Sequence, residues 1–219
     1  MSNIVNIEIL NTTLRLLPEK AIYIEPIKSL LVSDVHLGKS ETFQSFGIPI
    51  SNRVNHTILR RLRQLCLTIQ PDHLFILGDL FHSKFALSDE GIDGWLRFLN
   101  DANVEAHLIL GNHDRHLSDT LKQLSIECLP TAIQIDNLIL SHEPQSSPGC
   151  LNICGHTHPC LRIKTTLDDL RLPCFYFEKT EPRLTLPSFG DFTGGYEIRL
   201  TRHSSAYVVV DDQIVPFGD

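Results

Sequence analysis

Apolar residues along this chain gather in short runs that stop abruptly at Gly or at a polar side chain. Leu30-Leu31-Val32-Ser33 ends at Asp34 and, one residue on, His36. His73 to Gly78 ends at Asp79, and Ala106 to Gly111 ends at Asn112-His113-Asp114. Leu138 to Ser141 ends at His142, and Leu151 to Gly155 ends at His156-Thr157-His158. Runs of this length, bounded by Gly and polar residues, predict buried strands. In open α/β sheets functional groups collect at the carboxyl ends of such strands. Five runs that each end on Asp, Asn or His therefore describe one active site.

Elsewhere the rhythm divides the chain in two. Residues 4–25 alternate apolar and polar (Ile7, Ile9; Leu14, Leu16; Ile22, Ile24) with turn signals at Asn11-Thr12 and Pro18-Glu19, which predicts a strand meander. From 27 to 125 strands alternate with helical segments. The clearest helix starts near Ser51 or Asn52 as N-cap, lines up Val54, Ile58, Leu62, Leu65, Cys66 and Ile69 on one face, and ends before Pro71. A second follows Ser88 and carries Ile92, Trp95, Leu96 and Leu99, weakened by Gly91 and Gly94. After residue 126 strands are expected at 132–135, 138–141, 151–154, 159–164, 174–178, 183–186, 196–200 and 206–210. No repeat, low-complexity tract or flexible linker interrupts the chain, so residues 1–219 read as a single α/β domain.

Composition narrows the partners. With 26 acidic and 19 basic residues the formal charge is −7, which argues against a broad electrostatic grip on nucleic acid. Two bound cations would offset some of that charge locally, so a phosphate substrate is not excluded. Met1 to Leu10 lacks a basic segment ahead of a long apolar one, and no apolar run approaches the roughly 20 residues that cross a bilayer. A soluble cytoplasmic protein without membrane contact is expected. In that compartment the six cysteines are read as free thiols. A structural zinc site built from Cys150, Cys154, His156, His158 and Cys160 is the weaker reading, because the spacing lacks a C-x2-C knuckle.

The donor set carries the chemistry. Asp34 and His36, two apart, would lie on the same side of an extended backbone. With Asp79, Asn112, His142, His156 and His158 they make seven oxygen and nitrogen donors. Seven are too many for one tetrahedral ion and suit a pair of borderline divalent ions sharing a carboxylate, with Mn²⁺ expected and Fe²⁺ or Zn²⁺ as alternatives. His56, His73, His82, His107, His116 and His203 fall outside these motifs and are read as ordinary core or surface histidines.

Taken together, Asp34-x-His36, Gly78-Asp79, Gly111-Asn112-His113-Asp114, His142 and Gly155-His156-x-His158 resemble the blocks of the calcineurin-like metallophosphoesterases, all present and in order. The resemblance implies a four-layer α-β-β-α sandwich of two facing mixed β-sheets flanked by helices. It implies one ion on Asp34, His36 and His158, a second on Asn112, His142 and His156, and Asp79 as the bridge. It also implies that His113 binds no metal and acts on the leaving group or the phosphoryl, with Asp114 orienting it. A narrower resemblance spans most of the chain. Leu16 to Ala21, His36 to Lys39, Gly47 to Pro49, Phe81 to Ser83, Ser141 to Pro144, Arg171 to Phe175 and Leu186 to Gly195 are similar to the ligase-associated DNA-damage-response branch (PdeM-like). That branch implies DNA repair beside a DNA ligase and a DEXH-box helicase.

The resulting expectation is a metal-dependent phosphoesterase acting on phosphodiester bonds, as a DNA endonuclease or phosphodiesterase. A nucleotide phosphodiesterase or phosphatase is the alternative, and a non-catalytic scaffold is the third. Arg115, directly after Asp114, is a candidate phosphate contact at the rim, with Lys39 and His82 weaker candidates. Arg53, Arg60, Arg61 and Arg63 make the most basic segment, either a guide for a polyanion or a solvated helix face. Oligomeric state stays open, a homodimer being one option.

Overall fold

The computed structural model describes residues 4–51, 53–117, 121, 124–166, 168–191 and 193–218. The expected N-cap candidate Asn52 and motif residue Phe192 lie outside them, as do Met1 to Asn3. Two mixed sheets face one another. The first runs in sequence order: β1 (Val5–Ile9), β2 (Thr12–Leu17), β3 (Ala21–Ile24), β4 (Ser29–Val32), β5 (His73–Leu77), β6 (Glu105–Ile109) and β7 (Glu127–Leu129). Its first half is the antiparallel meander read from the alternation, and β4 to β7 are parallel. The crossovers carry α1 (Lys39–Ser45), α2 (Arg53–Ile69) and α3 (Asp89–Ala102).

The second sheet comprises β8 (Ala132–Ile135), β9 (Leu138–Ser141), β10 (Leu151–Cys154), β11 (Pro159–Lys164), β12 (Asp169–Glu178), β13 (Arg183–Thr185), β14 (Tyr196–Glu197), β15 (Ser204–Val210) and β16 (Gln213–Phe217). Along it β14, β11, β12, β13, β10, β9 and β8 are neighbours in that order, and β15 bridges β12 and β16.

The two-residue side-chain period of each strand divides the core. Leu14, Leu16, Leu31, Phe75 and Leu77 point toward the second sheet, where they meet Leu140, Ile153, Phe175 and Leu184. Leu30, Val32, Leu74, Ile76 and Leu108 point the other way, onto Ile58, Leu62, Leu65 and Cys66 of α2 and Trp95 and Phe98 of α3. Ser88 caps α3 by accepting from the Gly91 N–H, as the sequence suggested. In α3 the buried stripe runs through Trp95, Phe98 and Ala102, so Leu96, expected on the core face, stands 36% exposed instead.

Helices pack on the outer face of the first sheet. Among the described residues none covers the second, whose outer side holds a small cluster of Leu161, Cys174, Ile198, Ala206 and Val208. The strand expected at 196–200 is only Tyr196–Glu197, while β12 and β15 run longer than expected and β7, β16 and α1 were not foreseen.

Candidate metal centre

The carboxyl ends of β4, β5, β6, β9 and β10 meet at one end of the sandwich and bring the seven predicted donors together. Asp34 and His36 follow β4, Asp79 follows β5, Asn112 follows β6, His142 follows β9, and His156 and His158 follow β10. Asp34, His36, Asp79 and His142 are buried and form the floor. Asn112, His113, His156 and His158 stand at the open side.

Backbone geometry at this floor differs from a simple pleat. Asp34 (φ 54°), His36 (51°), Asp79 (53°), His156 (69°) and His158 (50°) all adopt left-handed backbone. For L residues such conformations cost on the order of 1–3 kcal/mol each and persist only where the surroundings impose them. The extended pleat expected to align Asp34 with His36 is therefore replaced by two consecutive αL bends. They are held by the Asp34 N–H donating to Gly78 O (3.2 Å) and the His36 N–H to Asp79 O (2.9 Å). Close packing enforces the rest. A Cβ on Gly155 would lie 1.6 Å from Ser33 Oγ, and one on Gly111 would lie 2.2 Å from Asp79 Oδ1.

The polar contacts tie the two sheets at the site. Asp34 Oδ2 accepts from Ser33 Oγ (2.5 Å) and from the His156 N–H (3.0 Å), while Oδ1 lies 3.1 Å from His158 Nε2. Asp79 Oδ1 accepts from the His113 N–H (3.0 Å). Its Oδ2 sits 3.6 Å from His142 Nε2, 3.9 Å from His113 Nε2 and 4.0 Å from His36 Nε2. The remaining wall is the segment after β13. The Phe189 N–H donates to Ser33 O, the Gly190 N–H to Asp34 O, and Ser188 Oγ also to Asp34 O.

Protonation follows from these contacts. His142 Nδ1 faces the Leu77 carbonyl at 2.9 Å, so it carries the proton and leaves Nε2 as a bare acceptor. Around it stand Asn112 Oδ1 at 2.9 Å, His156 Nδ1 at 3.1 Å and Asp79 Oδ2 at 3.6 Å. Both ring nitrogens of His36 are buried without a hydrogen-bond partner. Converging nitrogen and oxygen donors and an orphaned imidazole fit a cation.

Charge points the same way. Burial, with His158, Lys39 and His82 nearby, pushes the His36 pKa down to about 3 against the pull of Asp34, so the ring stays neutral. Burial works against Asp34 as an anion, but His158, His142 and Ser33 outweigh it and hold its carboxyl below the usual range. Neutral imidazole at His36 and ionised carboxylate at Asp34 are the forms a metal takes. At His158, by contrast, burial is outweighed by the Asp34 carboxylate, which raises the pKa of a ring that a cation would have to deprotonate. Asp34, His36 and His158 have donor atoms within 4.8 Å of one another, and so do Asp34, Asp79 and His142.

Other candidates are placed differently. Asp114 is fully buried and does not touch the His113 ring. It accepts from the N–H groups of Asp79 (2.6 Å), Gly111 (3.1 Å) and Phe81 (3.3 Å). Asp114 thus staples the loops that carry the donors, and burial together with Asp79 raises its pKa to about 6. His113 is oriented instead by the His82 carbonyl, 2.8 Å from Nδ1. His82, read as ordinary, packs its ring 4.8 Å from His113 and 5.4 Å from His36. Burial, then His113 and Lys39, push its pKa down to about 4. The sequence hints were the Phe81-His82-Ser83 motif and the place of His82 among the weaker phosphate-contact candidates.

Arg115 is at the exposed rim, 3.2 Å from Glu143. In the basic helix, Arg61 pairs with Asp191 (3.2 Å), donates to Phe189 O and stacks on the Phe189 ring, and Arg63 pairs with Asp101 (3.0 Å). These two arginines brace the fold, so the helix offers no continuous free basic stripe. The cysteines are free thiols, as expected. Cys154 lies 3.6 Å from Thr185 Oγ1 in the core, and among the described residues no cysteine joins a cluster able to hold a metal.

Comparison with known proteins agrees with this geometry. Residues 27–182 match the family model described as calcineurin-like phosphoesterase. The crystal structure of Pseudomonas putida nuclease MPE is similar over 98% of this chain and 100% of its own, at 32% identity and a TM-score of 0.85. Weaker likenesses are a protein of unknown function, AQ665, from Aquifex aeolicus (21% identity, 59% of this chain, 78% of that one, TM-score 0.43) and the E. coli phosphoesterase Yfce (14%, 87% and 98%, 0.47). No curated protein sequence matches the chain.

Proposed function

Because the chain belongs to the calcineurin-like phosphoesterase family and is accordingly a metal-dependent phosphoesterase, we propose that it is a two-metal nuclease cleaving phosphodiester bonds in DNA. The observation that carries the reading is the pair of donor clusters meeting across Asp34 and Asp79. In this reading Asp34, His36 and His158 would hold one ion and Asn112, His142 and His156 the other, with Asp79 shared between the two. Mn²⁺ suits the mixed imidazole and carboxylate donors, with Fe²⁺ or Zn²⁺ as alternatives. Such a pair, when bound, supplies a nucleophilic water near neutral pH and neutralises phosphoryl charge.

The chain's own groups do the remaining work. His113, fixed through Nδ1 by the His82 carbonyl, presents Nε2 to the space above Asp79. There it protonates the leaving oxygen or steadies charge on the phosphoryl, a contribution of about 10²–10⁴-fold. Asp114 holds the donor loops, and Arg115 at the rim contacts the strand. The likeness to a nuclease across essentially the whole chain supports DNA as substrate. The repair role, beside a DNA ligase and a DEXH-box helicase, follows the motif resemblance. A net charge of −7 fits a chain that relies on such partners for targeting. Free thiols fit a cytoplasmic location, and among the described residues no helix is long and apolar enough to cross a membrane.

The test is a substrate comparison with Mn²⁺: single-stranded DNA, 2′,3′-cyclic nucleotides and a phosphomonoester. The account predicts DNA cleavage well above the other two. Turnover confined to the cyclic nucleotides or the monoester would replace this reading with a small-molecule one.

A further inference from the structure

Three of the distinctive sequence motifs, otherwise without a role, converge on one groove. Lys20 comes from the β2–β3 turn, Arg171 and Pro173 from β12, and Ser188, Gly190, Asp191 and Thr193 to Gly195 from the segment after β13. Together with His158, Pro159 and Cys160 these residues line a groove of about 580 Å³. That is within the range of about 300–1,000 Å³ typical of ligand pockets. The groove opens beside His158, a candidate metal donor, and its wall hangs on the metal centre. Ser188 Oγ donates to the Asp34 carbonyl at 2.7 Å, and the Tyr196 N–H donates to the His158 carbonyl at 2.9 Å.

Its charge runs against that of the whole chain. Asp191, the carboxylate in the lining, is already paired with Arg61 at 3.2 Å. Lys20 and Arg171 remain. Arg171 spends one nitrogen on the Gly195 carbonyl (2.6 Å), and among the described residues no carboxylate forms an ion pair with it or with Lys20. Pro159, Pro173 and Cys160 supply an apolar surface beside the two cations. Two cations that no carboxylate pairs directly, Lys20 feeling Asp191 only through space, beside an apolar surface and next to a phosphoesterase centre, match one nucleotide unit: an anionic phosphate with a sugar and base.

We propose that this groove binds the nucleotide flanking the scissile phosphate, gripping that nucleotide's own phosphate between Lys20 and Arg171. The proposal rests on the DNA-cleaving reading and makes it specific: the enzyme selects a polynucleotide over an isolated phosphodiester. Of the helix read as either a polyanion guide or a solvated face, Arg61 and Arg63 then serve a structural part, Arg61 by fixing the Asp191 end of the groove.

The experiment compares Mn²⁺-loaded wild type, Lys20→Gln, Lys20→Glu and Arg171→Gln on two substrates. One is a single-stranded oligonucleotide, and the other is bis(p-nitrophenyl) phosphate, which has no flanking phosphate. The ratio of kcat/KM for DNA to that for the small diester should fall several-fold in Lys20→Gln and at least about tenfold in Lys20→Glu. The salt dependence of DNA binding should lose about 0.7 units of log–log slope for the lost contact on a single strand. Arg171→Gln also removes the bond to Gly195, so its melting temperature is measured alongside, and the Lys20 variants stand alone if it fails to fold. An unchanged ratio and slope in Lys20→Glu, with wild type cleaving DNA, would overturn the groove alone. Wild type that hydrolyses the small diester and leaves DNA intact would overturn the DNA reading, and the groove with it.

Discussion

At the carboxyl ends of β4, β5 and β6 the first sheet presents Asp34, His36, Asp79 and Asn112; at the amino ends of β5, β6 and β7 it presents His73, Glu105, His107 and Glu127. Both ends offer imidazoles beside carboxylates, and both hold groups whose donor atoms cluster within 4.8 Å. Their environments differ. At the amino end His107 Nδ1 contacts Glu127 Oε2 at 2.6 Å, His107 Nε2 contacts His73 Nδ1 at 3.1 Å, and Glu105 lies 3.3 Å from His73. The carboxylates there are open to water, Glu105 at 75% and Glu127 at 62% side-chain exposure. At the carboxyl end the carboxylates are buried, His36 has no hydrogen-bond partner, and five donors sit on left-handed backbone. Residue type and proximity are shared. What distinguishes a metal centre is desolvated, unsatisfied acceptors on an enforced backbone.

The sharpest way to break this comparison is Asp79→Ala, which removes the carboxylate proposed to be shared by the two ions. Metal content should fall to at most one weakly held ion per chain, and DNA turnover should drop by more than the roughly 10²–10³-fold typical of losing one electrostatic stabiliser. Elemental analysis alongside an activity assay reads both. Next, His113→Ala should retain both ions and the fold yet lose at least about 10²-fold in kcat. Loss of metal in that variant would make His113 a ligand and reassign the roles.

Glycine substitutions sharpen the contrast in backbone. Gly155→Ala drives a Cβ against Ser33 and Asp34 and should destabilise by about 1–3 kcal/mol while weakening metal retention. Gly94→Ala, in α3, meets Leu59 Cδ1 at an ordinary 3.5 Å and should stabilise by roughly 0.5–1 kcal/mol. Urea denaturation of the two variants gives both signs. The smallest effect is expected from His107→Gln at the solvated end. It should leave metal stoichiometry and turnover at wild-type levels, with a stability loss confined to the ring's stacking on Phe75 and its contact with the solvated Glu127.

Which parts of this architecture could be read from the residues alone has a physical explanation. Strands ending at Asp34, Asp79, Asn112, His142 and His156 were legible because a buried strand needs an unbroken apolar run. The Gly that lets the backbone approach a carboxylate also marks its end, as at Gly111 and Gly155. Helix α2 was legible from its period. Helix α1 was not, since Lys39 to Ser45 buries only Ser40 and has no apolar stripe to reveal it. Leu96 was misplaced because the α3 stripe is set by Trp95 and Phe98, and Gly94 blurs its edge. The part of Asp114 in binding three backbone N–H groups, and that of His82 in orienting His113, arise from tertiary contacts more than thirty residues apart in sequence for most pairs. No local pattern encodes such contacts. The same holds for the groove, whose lining comes from four distant segments.

The central claim is that the buried acceptors around Asp34 and Asp79 are shaped for two cations. Purified protein stripped with chelator, reloaded with Mn²⁺ and passed over a desalting column should carry two ions per chain by elemental analysis, with turnover restored in proportion to the second. A fully active protein carrying one ion or none would contradict the account.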